Sequence, residues 1–397
     1  MADATIHKLL DEYGTLCDSA ENARRLALWV KPEEGIRGET QWHGLPRFAV
    51  SPTRPAPVTA ECLERMWVEV LGMNIRRFYT DPDYFLEFFL RYKILKFRRF
   101  ADDTPLTRQI PVCFGVTHEA GILGQKTAFL EGEEPQFGRE AVFGPDDVLS
   151  PSIDFSNNEY LRNIAIPYYK RVKELAGREF HTIFPQWYRA PQGVALYVRG
   201  FEKFSLDLYD DPEFAHRILR YVTDAAKNFA RWRADFTGDP IAPCDLFNDD
   251  IPLMSPDIYR EFFFQYEQEL CDFHGGVGYW HSCGDITKHV GEICRLSDIS
   301  LFDFGVTMED KEAGMKLLSS PQTLELRVFA KPHIQEADEA AQKAYVRGIV
   351  EACARNGIQK YVIRTSGMST LLGGERDFEK LARWVELARE AQAEATN

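Results

Sequence analysis

Nowhere in the 397 residues do two cysteines form a CxxC pair, and no apolar run reaches the length of a membrane-spanning helix. The eight cysteines, from Cys17 to Cys353, are too scattered for a disulfide framework, which suits a reducing compartment and buried thiols. Basic residues are the minority, 47 Lys and Arg against 61 Asp and Glu, for a net charge of −14. A surface of that sign repels nucleic acid and anionic membrane, so neither is the expected partner. Met1-Ala2-Asp3-Ala4 lacks the basic flank and apolar core of a secretion leader, and the expected location is the cytoplasm. There is no internal repeat, no low-complexity tract and no glycine fingerprint after an early strand, which argues against a doubly wound dinucleotide fold. What remains is ordinary globular material, 45% hydrophobic and 27% charged, long enough to bury a core without disulfide or metal.

From residue 110 onward, short apolar runs alternate with amphipathic stretches. Strands are expected at Ile110–Val116, Ile183-Phe184, Gly193–Val198, Pro240–Phe247, Val277–Trp280, Ile299–Phe304, Leu324–Ala330 and Tyr361–Arg364. Helices are expected at 158–177, 211–237, 286–296, 336–356 and 376–393, and another begins at Ser255-Pro256-Asp257 and ends at Gly275-Gly276. About eight such units predict a (β/α)8 TIM barrel. Residues 1–100 are read as helices and loops packed on it, with loop over Gly35–Pro57, and the whole chain 1–397 as one domain.

A barrel puts its site at the C-terminal ends of its strands. The polar residues there are His118 and Glu119, Asn248-Asp249-Asp250, His281-Ser282-Cys283, His333, and Arg364. Imidazole and thiolate are good zinc ligands, which makes His281-x-Cys283 the sharpest pair, although a buried thiol beside a core histidine is the plainer alternative. Asp249 and Asp250 could ligate a metal, act as acid and base, or only satisfy loop amides. Glu119 could act likewise or simply start a helix. Arg364 at the end of an apolar strand needs an anion, either a substrate carboxylate or a neighbouring acid. Trp187 and Tyr279 are candidates for a substrate wall, with ordinary packing as the alternative. His118 and His333 are weaker substrate candidates.

The chain resembles the uroporphyrinogen decarboxylase superfamily and, within it, the cobalamin-dependent methyltransferase branch. The residues that carry this are Asp245–Asp250 leading through Pro252–Pro256 to a helix, Tyr279-Trp-His-Ser-Cys-Gly-Asp285, Arg199-Gly-Phe-Glu202 and Leu208–Pro212. The resemblance implies a TIM barrel with its site at the strand C-termini. It departs from the porphyrinogen decarboxylases. Their Arg-Gln-Ala-Gly-Arg motif is replaced by Leu28–Pro32, their Asp after a Phe-Ser pair falls on Phe114-Gly115-Val116, and their late histidine is missing from Arg364–Gly367. The thiol-methylating branch binds zinc through the HxC pair and a late cysteine. Here His281 and Cys283 match, but Thr365-Ser366-Gly367 stands at the cysteine's place, so Asp249 is the preferred third ligand and Glu119 the reserve.

The resemblance therefore implies a corrinoid-dependent methyltransferase component. It would move a methyl group from a small substrate, such as a methoxylated aromatic, to a separate corrinoid-binding protein, with Zn2+ as cofactor. The catalytic candidates are Asp249, Asp250, Glu119 and Arg364; His118, Trp187, Tyr279 and His333 are the substrate-binding candidates. The second reading is a decarboxylase or lyase of a small acid, with Arg364 on the carboxylate; the third is a non-enzymatic metal- or corrinoid-binding accessory. A homo-oligomer is compatible with all of them.

Overall fold

A computed structural model describes residues 2–30, 50, 52, 55–138, 140–147, 149, 153–318 and 322–396. Eight short strands carry the fold: β1 (Val58–Thr59), β2 (Gln109–Pro111), β3 (His181–Ile183), β4 (Cys244–Phe247), β5 (Val277–His281), β6 (Ile299–Asp303), β7 (Thr323–Val328) and β8 (Tyr361–Thr365). Ladder hydrogen bonds run β1–β8–β7–β6–β5–β4 in one parallel arc and β2–β3 in a parallel pair. Beyond β3, Arg189 pairs in parallel with Phe247 of β4. Beside β1, Asp103 stands in for a strand. Its N–H donates to Val58 O at 2.8 Å and its Oδ2 accepts from Val58 N at 2.9 Å. Eight parallel strands in this order, with helices between them, are the arrangement of a (β/α)8 barrel.

Several helices begin where a side chain caps them. Asp81 accepts from Tyr84 N–H ahead of Pro82–Arg99, Asp211 from Phe214 N–H ahead of Pro212–Thr237, and Asp338 from Ala341 N–H ahead of Glu339–Arg355. Alternation along β7 shows what the barrel encloses. Leu324, Leu326 and Val328 join the apolar layer beneath the helices. Glu325 and Arg327 point the other way, to Tyr279, Asp303 and Glu61. At the strand-start end, Trp29, Val50 and Val362 pack together, and Val50 N–H donates to Thr323 Oγ1 at 3.2 Å. Among the described residues no helix is long and apolar enough to cross a membrane.

Three expectations need correction. Val58–Thr59, within the residues 1–100 read as helices and loops, is the first barrel strand; two ladder residues are too few to show a period of two. Gly193–Val198, read as extended, lies within the helix Pro191–Arg199, and its apolar run is continuous because that helix is buried on nearly every side. Pro191 at the first turn and Gly200 after the last were the signals that favoured a helix. The strand expected over Ile110–Val116 stops at Pro111, and Gly115, at φ +61°, turns the chain into a helix. The loop expected over Gly35–Pro57 lies largely outside the described residues.

Candidate metal centre

Two neighbouring strand ends build the site. β5 ends at His281, and Cys283 follows two residues later on the loop. β4 ends at Phe247, which pairs with His281, so Asp249 lies just past the adjacent strand. His281 Nε2 lies 3.3 Å from Cys283 Sγ and 3.3 Å from Asp249 Oδ1. Asp249 Oδ1 also accepts the Cys283 N–H at 2.9 Å, which fixes one loop against the other. The three donor atoms all lie within 4.8 Å of one another, a group able to hold a metal ion. The loops meet so closely that only glycine fits. A Cβ on Gly284 would stand 2.3 Å from Pro252 Cγ, and one on Gly305 2.0 Å from Gly284 O.

Beneath the group lies a charged floor. His281 Nδ1 is 2.5 Å from Asp303 Oδ2, so the buried ring is gripped from behind while Nε2 faces Cys283 and Asp249. Asp303 also takes Arg327 Nη1 at 3.3 Å and the Gly305 N–H at 2.8 Å, and Arg327 Nη2 donates to Glu61 Oε2 at 2.9 Å. The Tyr279 hydroxyl lies 3.1 Å from His281 Nδ1, 3.0 Å from Asp303 Oδ2 and 2.9 Å from Glu325 Oε1. Burial alone would depress His281, but Cys283, Asp249 and Asp303 outweigh it and hold the imidazole well above its usual range. Burial would raise Asp249 and Asp303. His281 and Arg189 overcome it for the first, Arg327 and His281 for the second, and both carboxyls are held far below the usual range.

The other candidates fall elsewhere. Arg364 is fully buried. Its Nη1 pairs with Glu325 Oε2 at 2.6 Å and its Nε donates to Thr59 Oγ1 at 3.3 Å, so the anion it requires is a barrel carboxylate. Glu119 does not join the ligand group. It is buried, and its Oε1 accepts the Tyr188 and Arg189 N–H groups at 2.8 and 3.1 Å, fastening the segment after β3. Tyr279 is buried under His281 as part of the floor, not a wall. Trp187 packs against Phe229 of an outer helix. His118 is buried among Tyr160, Phe184 and Phe229, and burial pushes it down to about 3. His333 stacks on Tyr345 of the helix Glu339–Arg355. Asp250 lies beside Asp249, its Oδ2 3.8 Å from Arg189 Nη1.

Asp303, Glu325, Arg327, Glu61 and Arg189 are absent from the sequence-derived candidates. Asp303, Glu325 and Arg327 stand within strands expected from the sequence, whereas Glu61 and Arg189 follow no expected strand, and no sequence signal set them apart.

Comparison with known proteins agrees with this geometry. The uroporphyrinogen decarboxylase (URO-D) family model matches residues 66–324, well over half of the 397. A curated uroporphyrinogen decarboxylase from Aliarcobacter butzleri is 27% identical over 164 residues, 38% of this chain and 43% of that protein. The match thus spans less than half the length of that relative. Among solved structures, a methyltransferase from Methanosarcina mazei superposes with a TM-score of 0.58 at 14% identity, covering 85% of this chain and 95% of that one, which establishes a shared fold. By the extent of the family match, and with its strand-end site on a (β/α)8 barrel, the chain belongs to the uroporphyrinogen decarboxylase family.

Proposed function

We propose that the protein is a zinc-dependent methyltransferase that passes a methyl group from a small donor to the cobalt of a separate corrinoid-binding protein. The observation that carries this reading is the Asp249–His281–Cys283 group with Asp303 behind it. The donor set fits zinc. Tetrahedral zinc bound by nitrogen, oxygen and sulfur has ligand–ligand edges of about 3.3–3.6 Å, and the two edges from Nε2 are both 3.3 Å. Three protein ligands leave one position for substrate, as catalytic zinc requires. A zinc ion held there would supply a Lewis acid for the heteroatom that loses the methyl group.

The chain's own residues supply the rest. Asp303 accepts the Nδ1 proton and keeps the Nε2 lone pair turned toward the ligand group. Cys283 as thiolate and Asp249 as carboxylate supply two negative charges, matching a divalent ion. The late cysteine of the thiol-methylating branch is not replaced by Ser366, whose Oγ accepts the Ala330 N–H at 2.9 Å, nor by Thr365, whose Oγ1 accepts the Glu61 N–H at 2.8 Å. Asp249 is therefore the third ligand in this reading. Docking of the corrinoid protein at the barrel mouth is supported by exposed Leu253, Phe329 and Leu371 in the loops after β4, β7 and β8.

The decarboxylase alternative keeps the support of the family match, but Arg364, with no exposed surface, cannot be the residue that meets its substrate carboxylate. The test is zinc content of protein purified without chelator, together with methylation of reduced cobalamin by candidate donors, for wild type and His281→Ala. Bound zinc and donor-dependent methylation, both lost in the variant, are expected. Metal-free wild type that neither binds added zinc nor methylates cobalamin would end this reading.

A further inference from the structure

The loop that carries Asp249 is fastened at both ends to one buried carboxyl. Glu267 lies on the helix Phe264–His274, which packs against β4, and it has no exposed surface. Its Oε1 accepts from Asn248 Nδ2 at 2.8 Å, one residue ahead of Asp249. Its Oε2 accepts the Tyr259 hydroxyl at 2.9 Å, and Tyr259 opens the helical stretch Tyr259–Phe263 that leads into Phe264–His274. The same Oε1 accepts from Gln192 Nε2 at 2.8 Å, which ties in the helix Pro191–Arg199 after β3.

Packing alone does not call for a carboxyl here. Among the described residues no Lys, Arg or His pairs with Glu267. A buried carboxyl without a cation is costly, and an apolar side chain of similar volume would hold the helix at least as well. The hydrogen bonds show what the carboxyl does instead. Asn248 Oδ1 and Gln192 Oε1 are buried and, among the described residues, have no donor. Both amides turn their N–H groups to Glu267 and leave their own oxygens idle, so the carboxyl sets their orientation. That orientation reaches the ligand group. The Asn248 N–H donates to His281 O at 2.7 Å, and Asp249 Oδ1 accepts the Cys283 N–H, so the loop lies in register along the end of β5. Farther along, Pro252 closes on Gly284, and Met254 O lies 3.1 Å from His289 Nε2.

We propose that Glu267 is a positioning residue. By holding Asn248 and Tyr259 it fixes the loop between them, and with that loop the place of Asp249 opposite His281 and Cys283. The consequence for metal binding rests on the zinc reading above, while the fixing of Asp249 against Cys283 does not.

Hydrogen exchange of the metal-free full chain tests the placement, and a zinc–chelator competition tests its consequence. In Glu267→Leu the segments 248–254 and 281–285 should exchange about tenfold faster than in wild type, the value of one hydrogen bond, while Thr323–Val328 exchanges as before. Glu267→Gln keeps an acceptor oxygen for both amides and should restore the wild-type rates. Asn248→Ala should reproduce the change seen in Glu267→Leu, and the two together should add nothing further. Asn248→Ala also decides the matter if Glu267→Leu does not fold. Zinc affinity should fall about tenfold in Glu267→Leu and in Asn248→Ala and be kept in Glu267→Gln. Unchanged exchange in both segments, a loss spread evenly from β4 to β7, or additive effects of the two substitutions would overturn the proposal and leave Glu267 a core contact. If wild type binds no zinc while exchange changes as expected, the metal reading falls and the positioning role stands. If zinc binds Glu267→Leu as tightly as wild type, the positioning role falls and the metal reading stands.

Discussion

Replacing Arg364 with Met takes one cation out of the barrel interior and leaves Glu325 behind. Both side chains are fully buried, and the ion pair at 2.6 Å is the main compensation for the desolvation of each. Removing one member of such a pair costs about 3–5 kcal/mol. Glu325 keeps the Tyr279 hydroxyl at 2.9 Å and a distant Arg327 Nε at 4.0 Å, which places the cost near the lower end, about 3 kcal/mol. Neutralising the partner as well should recover most of it, so Arg364→Met with Glu325→Gln should be more stable than Arg364→Met alone by about 2 kcal/mol. Urea unfolding followed by circular dichroism measures all members of the cycle, and substrate titration of the folded fraction checks the site. Two outcomes would refute the reasoning. One is an Arg364→Met protein as stable as wild type. The other is a stable variant that needs far more substrate for turnover, which would mean the guanidinium reaches the ligand after all.

Further outcomes follow from the metal group and its supports. His281→Ala and Cys283→Ser should each lose zinc while the barrel stays folded, and wild type should release it as pH falls and the ligands take up protons; metal analysis after dialysis at stepped pH checks both. Asp303→Asn leaves all three ligands in place but weakens the grip on Nδ1, and zinc affinity should drop by about 10–100-fold in a chelator competition. Glu267, which accepts from Asn248 Nδ2, Gln192 Nε2 and the Tyr259 hydroxyl, is pushed by burial up to about 7, with those hydrogen bonds only partly opposing it. Its folded pKa lies above its unfolded one, so its contribution is fully present below about pH 4.5 and is lost as pH rises through about 7, a change of at most about 3 kcal/mol. Glu267→Gln should flatten that part of the stability–pH curve, and an unchanged slope would contradict the assignment.

The barrel was legible because its strand–helix rhythm is repeated many times, and one misread element does not break it. β1 was not, because two ladder residues bounded by proline and loop carry no periodicity. The juxtaposition of His281, Cys283 and Asp249 was legible because they lie at the ends of two apolar runs that form adjacent strands. The floor was hidden. Glu325 and Arg327 alternate with Leu324 and Leu326, a pattern that also fits a solvent-facing strand, and only the pairing of β7 between β6 and β8 sets those charges against Asp303, Tyr279 and Glu61. Arg364 shows the same limit from the other side. Its need for an anion could be read from sequence, but whether protein or substrate supplies that anion depends on which strand lies next to it.

That floor also ties the site to the order in which the chain is made. Glu61 precedes its partner Arg327 by 266 residues, and Thr59 precedes Arg364 by 305. During synthesis, which runs from the N-terminus, the early carboxylate stays solvated until the last strands emerge. All three residues of the metal group are present by Cys283, yet the grip on His281 requires Asp303, and Asp303 is held in turn by Arg327. A nascent chain halted after β5 would carry every ligand without their supports, and metal met at that moment would find a loose set of donors. On the zinc reading proposed above, capture of the ion becomes a late event, set by the arrival of β6 and β7 and not by the ligands' own translation.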